Sequence, residues 1–188
     1  MSAAKRLTLV TGGARSGKSA LALSLARDAG RVLFAATAEP RDAEMAARID
    51  AHRAERPPHW GTLEAPLALA AGLRAGAGSY DLVVVDCLTL WVSNLLLATP
   101  PAEVDAAVAA ATDQLLAAYA AGSASWVVVT NEVGLGVVPP SELGRRYRDL
   151  LGRVNQRVAA AADAVHLVVA GLALDLKALG AVPVLPPA

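Results

Sequence analysis

The chain has 188 residues, and its 17 Lys and Arg balance its 17 Asp and Glu, so the formal net charge is zero. This balance argues against bulk binding to nucleic acid, which needs a basic excess or patch, and the hydrophobic content of 55% excludes a disordered chain. A single cysteine, Cys87, favours a reducing compartment, and no run approaches the roughly 18 apolar residues of a membrane span. We therefore expect a cytoplasmic protein without a membrane span, with residues 1–188 as a single domain and 180–188 as a loose tail.

Strand-like and helix-like segments alternate along the chain. In order, the sequence predicts a strand over 7–11, a helix over 18–29, a strand over 32–36, helices over 42–56 and 67–75, a strand over 82–86, helices over 88–98 and 103–121, a strand over 126–130, a helix over 141–162 and a strand over 165–170. Unbroken apolar strands between helices are typical of a mostly parallel sheet with helices on both faces. The prediction is an α/β fold.

A glycine-rich loop between the first strand and the first helix carries the strongest motif. Its sequence, GGARSGKS, fits the phosphate-binding pattern G-x-x-x-x-G-K-[ST] in the strand–loop–helix context that the pattern requires. Glycines let backbone N–H groups approach phosphates, and the following helix N-terminus favours negative charge. The alternative is a glycine-rich turn with an incidental lysine. The predicted nucleotide-binding residues of this loop are Gly12, Gly13, Ala14, Arg15, Ser16, Gly17, Lys18 and Ser19.

Two oxygen ligands for Mg²⁺ are predicted beside this loop. The Ser19 hydroxyl is placed as in other phosphate-binding loops, where it contacts the metal. Asp86 closes an apolar strand, the position from which an acid holds the metal directly or through water. The alternative role for Asp86 is to cap the helix that follows it.

His52 is a candidate nucleophile on the helix predicted over 42–56. Met45, Ile49, His52 and Arg56 follow one another at steps of four, three and four, so they share one helix face. One interpretation is a histidine at the edge of a core-facing stripe. The other is an imidazole that attacks phosphorus, with Arg53 and Arg56 gripping a polyphosphate beside it. Periodicity alone does not choose between them.

Polar residues also follow the strand predicted over 126–130. Asn131 and Glu132 come directly after it, and residues just past the carboxyl ends of parallel strands line the site in open α/β sheets. A plain polar turn is the alternative. Further on, five arginines between positions 145 and 157 form either a solvated helix face or a surface for an anionic substrate.

Together these residues resemble the bifunctional adenosylcobinamide kinase / adenosylcobinamide-phosphate guanylyltransferase family of cobalamin biosynthesis. The resemblance extends from about Leu7 to Lys177, and its segments in the N-terminal half are TGGARSGKS, AT at 36–37, DAEMAARI at 42–49 and His52. The C-terminal half adds TNEVG at 130–134, GRVNQR at 152–157 and AAAAD at 159–163. Many families share the phosphate-binding loop, whereas the EMAARI and NEVG segments in this order are far more specific.

The resemblance implies two reactions on one corrinoid substrate. A nucleoside triphosphate, ATP or GTP, first phosphorylates adenosylcobinamide. GTP then donates GMP to that phosphate, giving adenosylcobinamide-GDP and pyrophosphate. The family also implies a RecA-like P-loop sheet with some antiparallel edge strands, and a homotrimer.

The resemblance also implies roles for individual residues. His52 corresponds to the histidine that carries GMP; some members have two adjacent histidines, and here Ala51 replaces the first. Lys18 of the glycine-rich loop corresponds to a catalytic residue. Asp86 occupies the position at which some members of the family carry Glu. The matching family positions suggest further nucleotide contacts at Ala36, Thr37, Arg53, Arg56 and Glu64.

Two other functions fit the motifs. One is a simple P-loop kinase or ATPase in which His52 is structural, and the other is a nucleotide-binding module without turnover. Lys18, Ser19 and Asp86 argue against the module, because such a module needs no catalytic lysine or metal ligand. The sequence does not locate the corrinoid pocket.

Overall fold

A computed structural model describes residues 4–54 and 56–184. The strands of this part of the chain are β1 (Leu7–Gly12), β2 (Val32–Ala36), β3 (Gly61–Glu64), β4 (Leu82–Asp86), β5 (Ser125–Val129), β6 (Ala164–Val169) and β7 (Leu172–Asp175). Its α-helices are α1 (Lys18–Ala26), α2 (Ala43–Ala54), α3 (Leu69–Gly76), α4 (Leu88–Ala98), α5 (Val104–Ala121) and α6 (Glu142–Ala161), and a short 3₁₀ turn spans Ala77–Ser79.

All seven strands belong to one sheet, in the order β3-β2-β4-β5-β1-β6-β7. The pairs from β3 to β6 are parallel, and only the β6–β7 pair of this sheet is antiparallel. The α/β class with a mostly parallel sheet is therefore confirmed. The antiparallel edge that the family resemblance implied is β7.

Each central strand is buried on both faces, which explains its unbroken apolar sequence. In β4, Val83 and Val85 face the larger core, which α3, α4, α5 and α6 cover. Leu82 and Val84 face the opposite way, into a smaller core that α1 completes with Ala22 and Ala26. The sheet is thus covered on both faces, as predicted, although four of the packed helices lie on one side.

The predicted elements differ from the structure mainly at helix ends and sheet edges. Helix α1 ends at Ala26 rather than at residue 29, because tighter turns replace the helical pattern: Arg27 N donates to Ser24 O and Ala29 N to Ala26 O. Strands β3 and β7 were not predicted. Both have only four residues and lie at the two edges of the sheet, where pairing on one side requires little apolar sequence.

Helix α2 is shorter than the predicted 42–56 and contributes nothing to either core. Asp42 caps it, because its Oδ1 accepts from Met45 N at 2.7 Å. Arg56 lies beyond its end, where Pro57 disfavours helical backbone at the preceding residue. No residue of 43–54, all of which the structure describes, is buried.

The C-terminal residues carry no regular structure as far as they are described. Residues 180–184 lie outside helices and strands, and 185–188, the rest of the predicted tail, lie outside the described residues. Among the described helices, none combines the length and apolar character that crossing a bilayer requires.

Gly12 is a position in the sheet where another strand's backbone leaves no room for a side chain. Its φ is 152°, and a Cβ built on it would lie 2.2 Å from the carbonyl oxygen of Val168 in the neighbouring strand β6. Only glycine therefore lets β1 and β6 approach this closely at the point where β1 enters the loop.

We expect Gly12→Ala to lower the free energy of unfolding by about 3 kcal/mol, because β1 and β6 must separate to admit the methyl group. The matched control is Gly13→Ala, since a Cβ there meets nothing within 4 Å. Urea unfolding of both variants measures the difference. Equal stability of the two variants would contradict the steric argument.

Candidate active site

Strand register places four side chains in a row at one edge of the sheet. Glu64 pairs with Ala36, Ala36 with Asp86, and Asp86 with Val129 across neighbouring parallel strands. Each of these residues stands at the carboxyl end of its strand, and all four line one open cleft of about 470 Å³. The sheet thus brings together residues that are far apart in the sequence, such as Glu64 and Val129, which are separated by 65 positions. They meet at the edge of the sheet where α/β proteins bind ligands.

The glycine-rich loop forms one wall of the cleft. Residues 14–19, all predicted nucleotide contacts, line it, whereas Gly12 and Gly13 do not. Gly17 takes a left-handed conformation, with φ 105°, as the residue that precedes α1. The exposed N-terminus of that helix therefore faces the cleft, where it favours an anion.

Lys18 lies at the base of this wall and is 7% exposed. Its Nζ donates to Gly13 O and lies 3.4 Å from Ser16 Oγ, so the side chain folds back over the loop. Burial lowers the pKa of Lys18, and the nearby Cys87 and Asp86 oppose that shift. A desolvated ammonium group beside the backbone of the glycine-rich loop is suited to binding a phosphate group.

Asp86 lies opposite Lys18 at the end of β4. Its side chain is 17% exposed, and Oδ2 is 3.9 Å from His52 Nδ1. Burial raises the pKa of Asp86, while the positive charges of His52, Arg56 and Lys18 pull it down. The carboxylate is therefore surrounded by cationic groups.

Asp86 and Ser19 both reach the cleft, so a carboxylate and a hydroxyl oxygen are available for Mg²⁺. The described residues include no cluster of three or more His, Cys, Asp or Glu side chains suited to a metal ion. Mg²⁺ commonly uses one or two protein oxygens together with substrate phosphates and water. The donor set therefore fits that ion.

Helix α2 forms the wall facing the loop. Met45, Arg48, Ile49 and His52 line the cleft from one face of this helix. His52 is 36% exposed there, which leaves its imidazole accessible. The sequence left open whether the helix face that carries Met45, Ile49 and His52 packs on the core or lines a site. In the structure, this face lines the cleft.

Arg56 and Arg53 occupy different environments. The Arg56 guanidinium lies 3.6 Å from the centre of the Phe34 ring and lines the cleft, and its Nε and Nη1 are buried without a hydrogen-bond partner. Burial lowers the pKa of Arg56, against the opposing charges of Asp86 and Glu64. Arg53 is outside the cleft lining and donates to Glu64 Oε1 at 2.7 Å. Of the two arginines, the structure gives donors without partners only to Arg56.

Thr37 is another predicted contact that does not line the cleft. It is fully buried, its Oγ1 donates to Cys87 O at 2.7 Å, and it accepts from Cys87 N at 2.9 Å. These bonds tie the end of β2 to the residue after Asp86. The position supports Asp86 from behind.

The segment after β5 divides its polar residues between two tasks. Asn131 lines the cleft, as the position after a parallel strand predicted. Glu132 instead accepts from Thr11 Oγ1 at 2.7 Å, and its backbone N–H donates to Gly12 O at 3.1 Å. Asn155 of α6 donates to Asn131 O at 3.0 Å. Glu132 thus fastens β1 to β5 just below the glycine-rich loop.

Three of the five arginines of α6 form ion pairs with α5, while Arg148 pairs with Asp149 of its own helix and Arg145 donates to the carbonyl oxygens of Pro139 and Pro140. Arg146 and Arg153 pair with Asp105, and Arg157 pairs with Asp113, both acids on α5. This favours the solvated helix face over a surface for an anionic substrate.

Several cleft residues were missed by sequence reasoning. They are Ala20, Ala38, Met45, Arg48, Ile49, Cys87, Thr89, Leu90 and Val129. Helical spacing was the available signal for Arg48, Met45 and Ile49, since residues three, four or seven apart share a face with His52, and the last two already belonged to the predicted stripe. The remaining residues, apart from Thr89, are small or apolar, and none belongs to a predicted motif.

Comparison with known proteins identifies the family. The family model described as cobinamide kinase / cobinamide phosphate guanyltransferase (CobU) matches residues 8–176. The bifunctional adenosylcobalamin biosynthesis protein CobP of Pseudomonas aeruginosa is 49% identical over 170 residues, which cover 90% of this chain and 96% of that protein. The proteins named CobU in Salmonella typhimurium and Escherichia coli are 47% and 45% identical over 180 residues, covering 91% of this chain and 99% of each relative. With a match that spans nearly the whole sheet, this chain belongs to the cobinamide kinase / cobinamide phosphate guanyltransferase family.

Proposed function

We propose that this chain phosphorylates adenosylcobinamide with ATP or GTP and then transfers GMP from GTP to the resulting phosphate through His52. The kinase and guanylyltransferase activities are those of its family. The observation that carries the histidine route is the position of His52. It is accessible in the wall opposite the glycine-rich loop, with Nδ1 3.9 Å from Asp86.

In the kinase step, the loop and Lys18 hold the triphosphate, and phosphoryl transfer depends mainly on positioning and charge stabilisation. The substrate hydroxyl oxygen forms a bond to the γ-phosphorus as the bond from that phosphorus to the β,γ-bridging oxygen breaks. The nucleoside diphosphate leaves with the electron pair, and the hydroxyl proton passes to solvent. Ser19 and Asp86 would hold Mg²⁺, which supplies positive charge to offset that of the phosphates. The buried Lys18 ammonium stabilises the negative charge that develops during transfer.

In the transfer step, an imidazole nitrogen of His52 forms a bond to the α-phosphorus of GTP. The bond from that phosphorus to the bridging oxygen breaks, and pyrophosphate leaves with the electron pair. A phosphate oxygen of the acceptor then attacks the same phosphorus and frees His52. Covalent catalysis of this kind divides one displacement into two easier ones.

We also propose a cytoplasmic homotrimer. The family resemblance supports the trimer, and the single, buried Cys87 suits a reducing compartment. The corrinoid is the acceptor in both steps.

A plain kinase or ATPase with a structural His52 remains the competing function. A structural histidine would be expected to pack on a core face, whereas α2 has no buried residue. GTP labelled at the α or the γ phosphorus separates the alternatives. Label kept on the protein from the α position indicates transfer through the enzyme, turnover without it indicates the plain kinase, and neither indicates a binding module.

Lys18→Ala should reduce both activities by about a hundredfold or more, because both donors use the same loop and each loses a contact to transferring phosphate. Steady-state rates with each donor measure the effect. Arg27→Ala, which removes an exposed cation outside the cleft, is the matched control, with unfolding midpoints recorded for both variants. Kinase turnover of Lys18→Ala at the wild-type level would refute the role of the loop.

Asp86→Asn should raise the Mg²⁺ concentration needed for half-maximal activity by about tenfold or more in both reactions, because an amide oxygen is a weaker ligand than a carboxylate. Titration of both rates with Mg²⁺ measures the shift. Asp28→Asn, at an exposed position after α1, should leave the titration unchanged. An unchanged curve for Asp86→Asn would remove Asp86 from the metal site.

His52→Ala should abolish both the protein-bound label from α-labelled GTP and the guanylyl transfer, while much of the kinase rate remains. The label on the wild-type protein should be labile in acid and more durable in base, as a phosphoramidate is. His59→Ala, an exposed histidine outside the cleft, is the control. Label at the wild-type level in His52→Ala would overturn the assignment, and parallel loss of stability and of both rates would indicate a structural histidine.

A further inference from the structure

Arg48 is a cleft residue to which neither the motifs nor the family resemblance gave a role. It lies on α2 four residues before His52, so the two side chains emerge on the same helix face with Cβ atoms about 6 Å apart. Arg48 is exposed and lines the cleft. Within the described part of the chain, its side chain makes no hydrogen bond and no ion pair.

The other cations near His52 make side-chain contacts within the chain, although Arg56 keeps its buried Nε and Nη1 without a hydrogen-bond partner. Arg53 pairs with Glu64 and with Asp50, and Arg56 is stacked on Phe34. Lys18 belongs to the opposite wall, where it holds the carbonyl oxygen of Gly13. Among the cations of α2, Arg48 is therefore the one with its full set of donors available on the cleft side.

Arg48 also lies close enough to the centre of the cleft to act there. Its charge contributes, after those of His52, Arg56 and Lys18, to lowering the pKa of Asp86. A guanidinium presents a planar fork of donors that matches two oxygens of one phosphate. An unpaired guanidinium in this place fits a phosphate group between α2 and the glycine-rich loop.

We propose that Arg48 binds the non-bridging oxygens of the phosphoryl group that His52 receives, and so is a catalytic residue of guanylyl transfer rather than of the kinase step. This inference rests on the proposed function of His52. As the imidazole nitrogen bonds to the α-phosphorus and pyrophosphate leaves with the electron pair, charge builds on those oxygens, and Arg48 stabilises it. The same contact serves the second displacement, in which the acceptor phosphate attacks and the phosphorus–nitrogen bond breaks.

The placement on one helix explains why the effect is selective. Arg48 and His52 share one rigid helix, so their relative positions are fixed by α2 itself. In the kinase step, the reacting phosphate would lie at the loop, next to Lys18 and the N-terminus of α1. Loss of Arg48 therefore weakens charge stabilisation of guanylyl transfer at His52, whereas charge stabilisation of the kinase step at the glycine-rich loop is unchanged.

The test is to measure both rates on Arg48→Ala with the full-length protein. We expect the rate of protein labelling from α-labelled GTP to fall by about 100-fold or more, as for loss of one transition-state donor, and the kinase rate with γ-labelled ATP to change by less than about threefold. Arg48→Lys, which keeps the charge without the fork, should recover part of the labelling rate. Arg27→Ala removes an exposed arginine outside the cleft and should change neither rate.

The outcomes separate this inference from the proposal on which it rests. If the wild-type protein takes no α-label, the route through His52 fails. If the wild type is labelled and Arg48→Ala is labelled equally fast, the role of Arg48 is overturned. An equal fall in both rates, or a lowered unfolding midpoint that accounts for the loss, would also overturn it, because a structural or general phosphate-binding role would not distinguish the two reactions.

Discussion

The parallel register of β3, β2, β4 and β5 is the constraint on which the site depends. Backbone hydrogen bonds fix Glu64, Ala36, Asp86 and Val129 side by side, and burial of β2, β4 and β5 on both faces prevents these three strands from slipping. A shift of one residue would turn the apolar side chains of each strand to the wrong core. The same packing that stabilises the sheet therefore also determines which side chains stand at its carboxyl edge.

The cleft above this edge carries more positive than negative charge near its centre. Lys18, Arg48 and Arg56 surround Asp86, and burial disfavours the charged forms of Lys18, Arg56 and Asp86 alike. Unpaired donors such as those of Arg56 destabilise a fold, since each buried polar group without a partner costs about 1–3 kcal/mol. Buried donors without partners are expected where a bound ligand supplies the missing acceptors and the opposite charge.

Sequence reasoning succeeded where one physical rule dominates. Strands β2 and β4 and helix α4 were predicted with their observed bounds, because each is an apolar run closed by a clear breaker or a polar residue. The glycine-rich loop was found because its chemistry demands fixed residues at fixed spacing. Edge strands escaped prediction, since pairing on one side leaves little trace in four residues.

The sequence also did not reveal which side chains are occupied by contacts with their neighbours. Thr37 and Arg53 were predicted as nucleotide contacts, yet Thr37 binds Cys87 and Arg53 pairs with Glu64, and neither contact follows from spacing. Arg48 shows the converse, because its helical spacing from His52 was not used, and only the structure shows that its side chain lines the cleft without a partner among the described residues. Spacing in the sequence can predict which side chains lie close together, whereas only the structure shows which of them bind to one another.

The absence of buried side chains along residues 43–54 has a consequence for how this protein varies. Substitutions in α2 remove little apolar surface from either core, so the folding of the sheet is largely indifferent to them. Substitutions there can therefore alter contacts to a ligand in the cleft while the sheet stays folded, whereas truncations in β4 or α4 remove buried side chains from the cores.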